Sequence, residues 1–189
     1  MNLPNKLTVL RMIMIPVFIA IFYINAISYN YLISAIIFAL AAFTDFLDGH
    51  IARKYNLVTD FGKFLDPIAD KVLVSTALII MLLPYGGVEI LPWYGAICVA
   101  IIMARELIVS GFRLIAAGKG KVIAADKSGK IKTFLTDIAI VVLLVSASLL
   151  DSFNLLNLIG RILLYLSTLL TIYSGIECLV KNKGVISSK

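Results

Sequence analysis

The 189-residue sequence predicts an all-α integral membrane fold of six transmembrane helices, opened by an N-terminal interfacial helical segment. Three observations predict it. Hydrophobic residues make up 61% of the chain and charged residues only 15%, with a mean hydropathy of +1.01. A water-soluble fold needs a polar shell that this composition cannot supply, and a bilayer removes that need. Six apolar runs each approach the ~20 residues needed to cross the hydrocarbon core. Finally, Lys and Arg sort to one side of a six-span layout.

The runs fall at 8–27, 31–52, 64–84, 92–115, 132–150 and 157–180, within one domain spanning residues 1–189. The first follows Lys6 and Arg11 and so looks like a secretory leader. It is long, however; Ile24-Asn25-Ala26 is a poor cleavage site, and five more runs follow, so it is expected to be retained. Its opening, Leu3 to Arg11, is expected to begin as an interfacial helix with Pro4 or Asn5 near its start.

Orientation follows from the cations. Lys6, Arg11, Arg53, Lys54, Lys63, Arg113, Lys119, Lys121, Lys127, Lys130, Lys132, Lys181, Lys183 and Lys189 fall on one side. The opposite loops, near 28–30, 85–91 and 151–156, hold no Lys or Arg. By the positive-inside rule both termini and the loop 116–131 are expected to face the cytoplasm. Arg161 is the exception, close enough to an outer end to snorkel. The net charge of +6 therefore reads as topology and attraction to anionic lipids, not as nucleic-acid binding. Cys98 and Cys178 lie far apart in apolar runs and read as packing residues. Gly118-Lys119-Gly120-Lys121 lacks the spacing of a phosphate loop and reads as a flexible basic loop.

Charged groups inside spans are costly and mark functional sites. Asp45 and Asp48 lie three apart at the end of the second run, and Asp66 and Asp70 four apart at the start of the third. Spacings of three and four place side chains on one helix face. A short turn through Tyr55-Asn56-Leu57 would bring the two helix ends together, with too few nearby cations to pair four carboxylates. Crowded carboxylates resist ionising together, and divalent metal removes the conflict. An oxygen-only ligand set suits Mg²⁺, or Mn²⁺ in its place. Two such ions about 4 Å apart can clamp a diphosphate. Gly49 permits close approach of a phosphate, and Arg53, one turn on, offers a planar fork for one. The bland alternative is that these aspartates cap helices or sit solvated at the interface.

Asp45-x-x-Asp48-Gly49-x-x-Ala52-Arg53, then eight residues, then Gly62-x-x-x-Asp66-x-x-x-Asp70, resembles the signature of the CDP-alcohol phosphotransferases. The resemblance implies an enzyme that moves a phosphatidyl-type group from a CDP-linked donor to an alcohol and releases CMP. It implies that Asp45, Asp48 and Asp66 bind metal, and that Asp70 completes the site and acts as the general base. Gly49 and Arg53 would contact the donor's diphosphate, and Asn5 and Thr8 would help hold the nucleotide. A homodimer is also implied.

Further cations bear on the acceptor. Arg105 and Arg113 stand eight apart on one face of the fourth run, and Lys127, Lys130 and Lys132 approach the fifth. Together they form a pocket for a second anion, the phosphate of a phosphorylated acceptor. The alternative is surface attraction for the lysines and pairing with Glu106 for Arg105. Pro4-Asn5-x-Leu7-Thr8-x-x-Arg11, the stretch Gly62 to Lys71, Arg105-Glu106 and Gly129-Lys130-x-Lys132-Thr133 resemble the branch of the family that uses CDP-diacylglycerol and sn-glycerol 3-phosphate. Serine and inositol phosphate are the rival acceptors. A cation or proton transporter is the rival class, disfavoured because the acids sit at a helix end and no inverted repeat is visible. His50 reads as incidental, Asp137 as lining the cavity or pairing with a lysine, and Glu177 as snorkelling. The phenylalanines and tyrosines read as mostly facing lipid or interface.

Overall fold

The computed structural model describes residues 2–55, 59–120, 123, 127–149 and 155–183. Within its helices the side chains of Phe46, His50, Ala52, Arg53, Lys54, Asp60, Phe61, Lys63, Phe64 and Lys127 lie outside the description. The chain forms six helices: α1 (Leu3–Tyr23), α2 (Asn30–Lys54), α3 (Asp60–Ile80), α4 (Gly95–Gly118), α5 (Lys127–Ser148) and α6 (Leu155–Lys181). They follow the six apolar runs in order, and their shifted ends have local causes. Pro4 sits in the first turn of α1, where its missing N–H costs nothing, so the interfacial opening and the first span are one continuous helix. α1 stops at Tyr23, because the Asn30 side chain donates to the Phe22 carbonyl at 2.8 Å and Tyr29 turns the chain at φ 61. α3 starts four residues before its apolar run, because Thr59 Oγ1 accepts from the Gly62 N–H at 3.0 Å and caps the helix.

Among the described residues, five helices are long and apolar enough to cross a membrane: α1, the 30–49 part of α2, α4, α5 beyond its first residue, and α6. The chain is a multi-pass membrane protein. α3 is the sixth, set apart by Asp60, Lys63, Asp66, Asp70 and Lys71 in its first half. The helices close a ring in which α1 packs on α2, α2 on α5, α5 on α6, α6 on α4, α4 on α3 and α3 on α1. α3 also touches α2 and α5, which puts its charged first half where most of the other helices can reach it.

The two ends of the ring differ in kind. Away from the charges, Tyr31 donates to the Tyr85 carbonyl at 2.8 Å and the Tyr85 hydroxyl donates to Tyr23. Arg161 donates to the Ile90 carbonyl at 3.4 Å, so its charge is held by the 81–94 connection instead of only reaching outward. The aromatic reading needs correction. Phe18, Phe22, Phe38 and Phe112 are buried, and only Phe43 and Phe134 among the described phenylalanine side chains are exposed. Phe18 stacks between Phe22 and Phe38, with centroids 6.5 and 6.1 Å away, to form the middle of the α1–α2 contact. In lipid, burial against protein and against hydrocarbon look alike in a sequence, and only packing separates them. Both cysteines are free, and Cys178 packs with Val109, Phe112 and Ala116 as an apolar residue.

The α5–α6 seam is tight at Gly160. A Cβ there would lie 2.8 Å from Leu143 Cγ and 3.3 Å from the Leu143 backbone nitrogen. Gly160→Ala should therefore cost about 1–3 kcal/mol of stability through overpacking. Thermal unfolding in detergent checks this: the melting temperature should drop, and Leu143→Ala in the same chain should recover part of the loss. An unchanged melting temperature would mean the seam is loose.

Candidate active site

Three helix ends meet at one end of the ring: the starts of α1 and α3 and the finish of α2. The α1 side of this meeting is built by Asn5, Thr8 and Arg11, which recur every three residues and so share one face. All three are buried. Thr8 Oγ1 donates to Asp66 Oδ1 at 2.6 Å. Asn5 Oδ1 accepts from the Thr59 hydroxyl at 2.9 Å. Arg11 Nη1 donates to Asp45 Oδ1 at 2.5 Å, and its Nη2 to Asp48 Oδ2. Gly62 makes the approach possible, since a Cβ on it would lie 3.1 Å from Asn5 Oδ1 and 3.3 Å from Thr59 Oγ1.

Arg11 is the residue whose role the sequence reading did not assign. Counted there as one of the cations that set topology, it is fully buried (0% exposed) and bridges two of the four aspartates. One cation, 34 residues from Asp45 in the chain, arrives from α1 to pair two of the four carboxylates. Its signal was its spacing, three residues after Thr8, on the face that meets α3. Asp48 is nearly as buried at 2%, whereas Asp45 keeps 40% of its side chain exposed. The Gly49 N–H also donates to the Asp48 carboxylate.

The four aspartates are thus gathered at one end but not into one chelate. Among the described residues no three carboxylate, thiol or imidazole side chains are grouped as ligands for a single ion. Arg11 occupies Asp45 and Asp48, and Thr8 occupies Asp66. The donor chemistry still fits a divalent cation, because all four groups are carboxylates, the hard oxygen donors such an ion prefers. Arg53 lies on the last turn of α2 with its side chain outside the described residues; His50 and Lys127 share that limit.

Asp70 links this cluster to a second one. The charges of Asp45 and Arg11 act on it, and so do those of Lys132 and Lys71. Lys132, buried on the first turns of α5, pairs with Glu106. Arg105 Nη1 donates to the same carboxylate oxygen at 3.2 Å and its Nη2 donates to Ser174 Oγ at 3.0 Å. Its stem crosses Gly175, where a Cβ would lie 3.0 Å from Arg105 Cγ. Arg113 and Arg105 also act on Lys71, so Lys71 joins the pocket expected from Arg105, Arg113 and Lys132. The pairing of Arg105 with Glu106 is real, yet one glutamate faces several cations here. Lys130 is exposed on α5, pointing away from Lys132. Glu177 accepts from Ser128 at 2.7 Å and Lys181 at 2.6 Å, tying the ends of α5 and α6.

The sequence profile described as CDP-alcohol phosphatidyltransferase matches residues 1–173. A Rickettsia felis protein named CDP-diacylglycerol–glycerol-3-phosphate 3-phosphatidyltransferase is 44% identical, covering 92% of this chain and 91% of its own length. Proteins of the same name are 42% identical in Bacillus subtilis, over 96% of this chain and 95% of theirs. In Salmonella typhimurium the identity is 35%, over 97% and 96%.

Removing one member of a buried ion pair leaves the other uncompensated, which typically costs about 3–5 kcal/mol. Arg11→Ala should lose stability on this scale when unfolding is followed in detergent with divalent ions chelated. Asp48→Asn in the same chain should restore part of it, because the stranded charge is gone. Strictly additive losses would show that the two groups do not couple.

Proposed function

The chain belongs to the CDP-alcohol phosphatidyltransferase family, and we propose that it transfers the phosphatidyl group of CDP-diacylglycerol to sn-glycerol 3-phosphate. The products are phosphatidylglycerol phosphate and CMP. The observation that carries this reading is that Asp70 interacts both with the aspartate cluster suited to metal and with Lys132 of the cationic pocket suited to a second phosphate. A donor diphosphate and a phosphorylated acceptor would then meet at one carboxylate. The names of the relatives point to the same pair of substrates.

In this reading Asp45, Asp48, Asp66 and Asp70 hold Mg²⁺ or Mn²⁺, two ions per site. Bound there, the ions supply the positive charge that grips the donor's diphosphate and stabilises the departing phosphate oxygen. Gly49 and Arg53 contact that diphosphate, while Asn5 and Thr8 border the nucleotide. Arg105, Arg113 and Lys132 bind the acceptor's phosphate, and Lys71 adds to their field. Asp70 takes the proton from the acceptor hydroxyl. The hydroxyl oxygen bonds to the phosphorus that carries diacylglycerol, the bond from that phosphorus to the CMP oxygen breaks, and CMP leaves. Holding both reactants at the membrane surface converts an encounter of lipid and solute into a step within one complex. In this reading this end, with both termini, lies at the cytoplasmic face of a bacterial plasma membrane among anionic lipids, an orientation that the cation distribution supports. The protein works as a homodimer of single-domain chains.

Purified protein should release CMP from CDP-diacylglycerol only when both glycerol 3-phosphate and a divalent ion are present. Equal release with serine or inositol phosphate would rule out the acceptor. Asp70→Asn should lower turnover by about 10²–10⁴-fold, the usual range for a lost general base, with donor binding nearly unchanged. Arg113→Ala should raise KM for glycerol 3-phosphate about 10-fold or more, as expected for a lost charged hydrogen bond, and KM for the donor much less.

A further inference from the structure

One half-buried acid stands outside both clusters. Asp137 lies on α5, and its Oδ1 is buried with no hydrogen-bond partner among the described residues. A buried carboxylate oxygen without a donor costs about 1–3 kcal/mol or more, so its retention asks for a donor that arrives from outside the chain. Asp70, Asp45 and Lys132 all act on it electrostatically. It is therefore within electrostatic reach of the carboxylate expected to act as base and of a cation expected to take the acceptor's phosphate. From the same helix turn, Thr136 is turned to α6, with its hydroxyl bonded to Ser167 at 2.5 Å. Asp137 follows it by one position, about 100° further round the helix, and so turns away from that seam.

Glycerol 3-phosphate carries its reacting hydroxyl at one end, its phosphate at the other and a second hydroxyl on the carbon between. We propose that Asp137 is a specificity-determining residue that accepts a hydrogen bond from this middle hydroxyl. Its unpartnered oxygen is satisfied only when a polyol phosphate of this length spans from the cationic pocket to Asp70. This inference rests on the acceptor assignment above. A site built around a hydroxyl rejects an analogue lacking it because the buried polar group is left stranded.

The test compares glycerol 3-phosphate with 3-hydroxypropyl phosphate, which keeps the phosphate and the reacting hydroxyl but lacks the middle one. Full-length protein in detergent–lipid micelles should prefer glycerol 3-phosphate by about 100-fold or more in kcat/KM. Asp137→Ala should shrink that preference to about 5-fold or less, almost wholly through slower use of glycerol 3-phosphate. Asp137→Asn, which keeps an acceptor oxygen, should retain most of the preference. Mn²⁺ affinity, read by electron paramagnetic resonance, should be the same in all three proteins. A wild-type protein indifferent to the missing hydroxyl would overturn the inference without any variant. So would an equal loss with both substrates in Asp137→Ala, or a loss of Mn²⁺ binding, which would make Asp137 a metal ligand. Should the wild-type protein use neither phosphate acceptor, the acceptor assignment itself falls; a wild type that uses glycerol 3-phosphate leaves the two questions separate.

Discussion

A guanidinium fully withdrawn from solvent inside a membrane protein is stable only where carboxylates compensate it. Arg11 is in that position, and its two partners sit at the far end of the next helix. The pairing fixes how α1 lies against α2, since a shift of one helical turn would strand three charges at once. Thr8 and Asn5, on the same face, then fix α1 against the start of α3 through Asp66 and Thr59. The site is held together by the helix that carries none of its aspartates.

That constraint explains why the polar chemistry is confined to one end. The far end of the ring closes with tyrosines, backbone carbonyls and a core of Phe18, Phe22, Phe38, Leu143 and Leu144. Such packing is rigid and needs no water. At the other end α3 must carry Asp66, Asp70 and Lys71 within its apolar length, which is tolerable because its neighbours bring countercharges: Arg11 from α1 and Lys132 from α5. The ring closure through α3 is thus what lets an acidic cluster and a basic pocket stand side by side without collapsing into each other.

Glycines serve two separate purposes in this arrangement. Gly62 and Gly175 make room for polar side chains of the site, Asn5 with Thr59 in one case and the stem of Arg105 in the other. Gly160 makes room for a helix. A sequence shows all three alike, as costs to helix stability of up to about 1 kcal/mol.

Much of the fold was legible because hydropathy runs and cation placement are local quantities that a bilayer reads directly. The spacing of Asp45, Asp48, Asp66 and Asp70, and of Arg105 and Arg113, was likewise enough to put each group on one face of its helix. These determine the number of helices, their alternation and the chemical character of the site. What spacing along one helix cannot give is which faces of different helices meet. Only the tertiary structure decided that Arg11 leaves the topology count to hold Asp45 and Asp48, that Lys71 joins the basic pocket, that Lys130 stays outside it, and that most described phenylalanines turn inward. Each of these depends on a contact between residues distant in the chain, and in a membrane the apolar surface gives no sequence signal to separate protein-facing from lipid-facing sides.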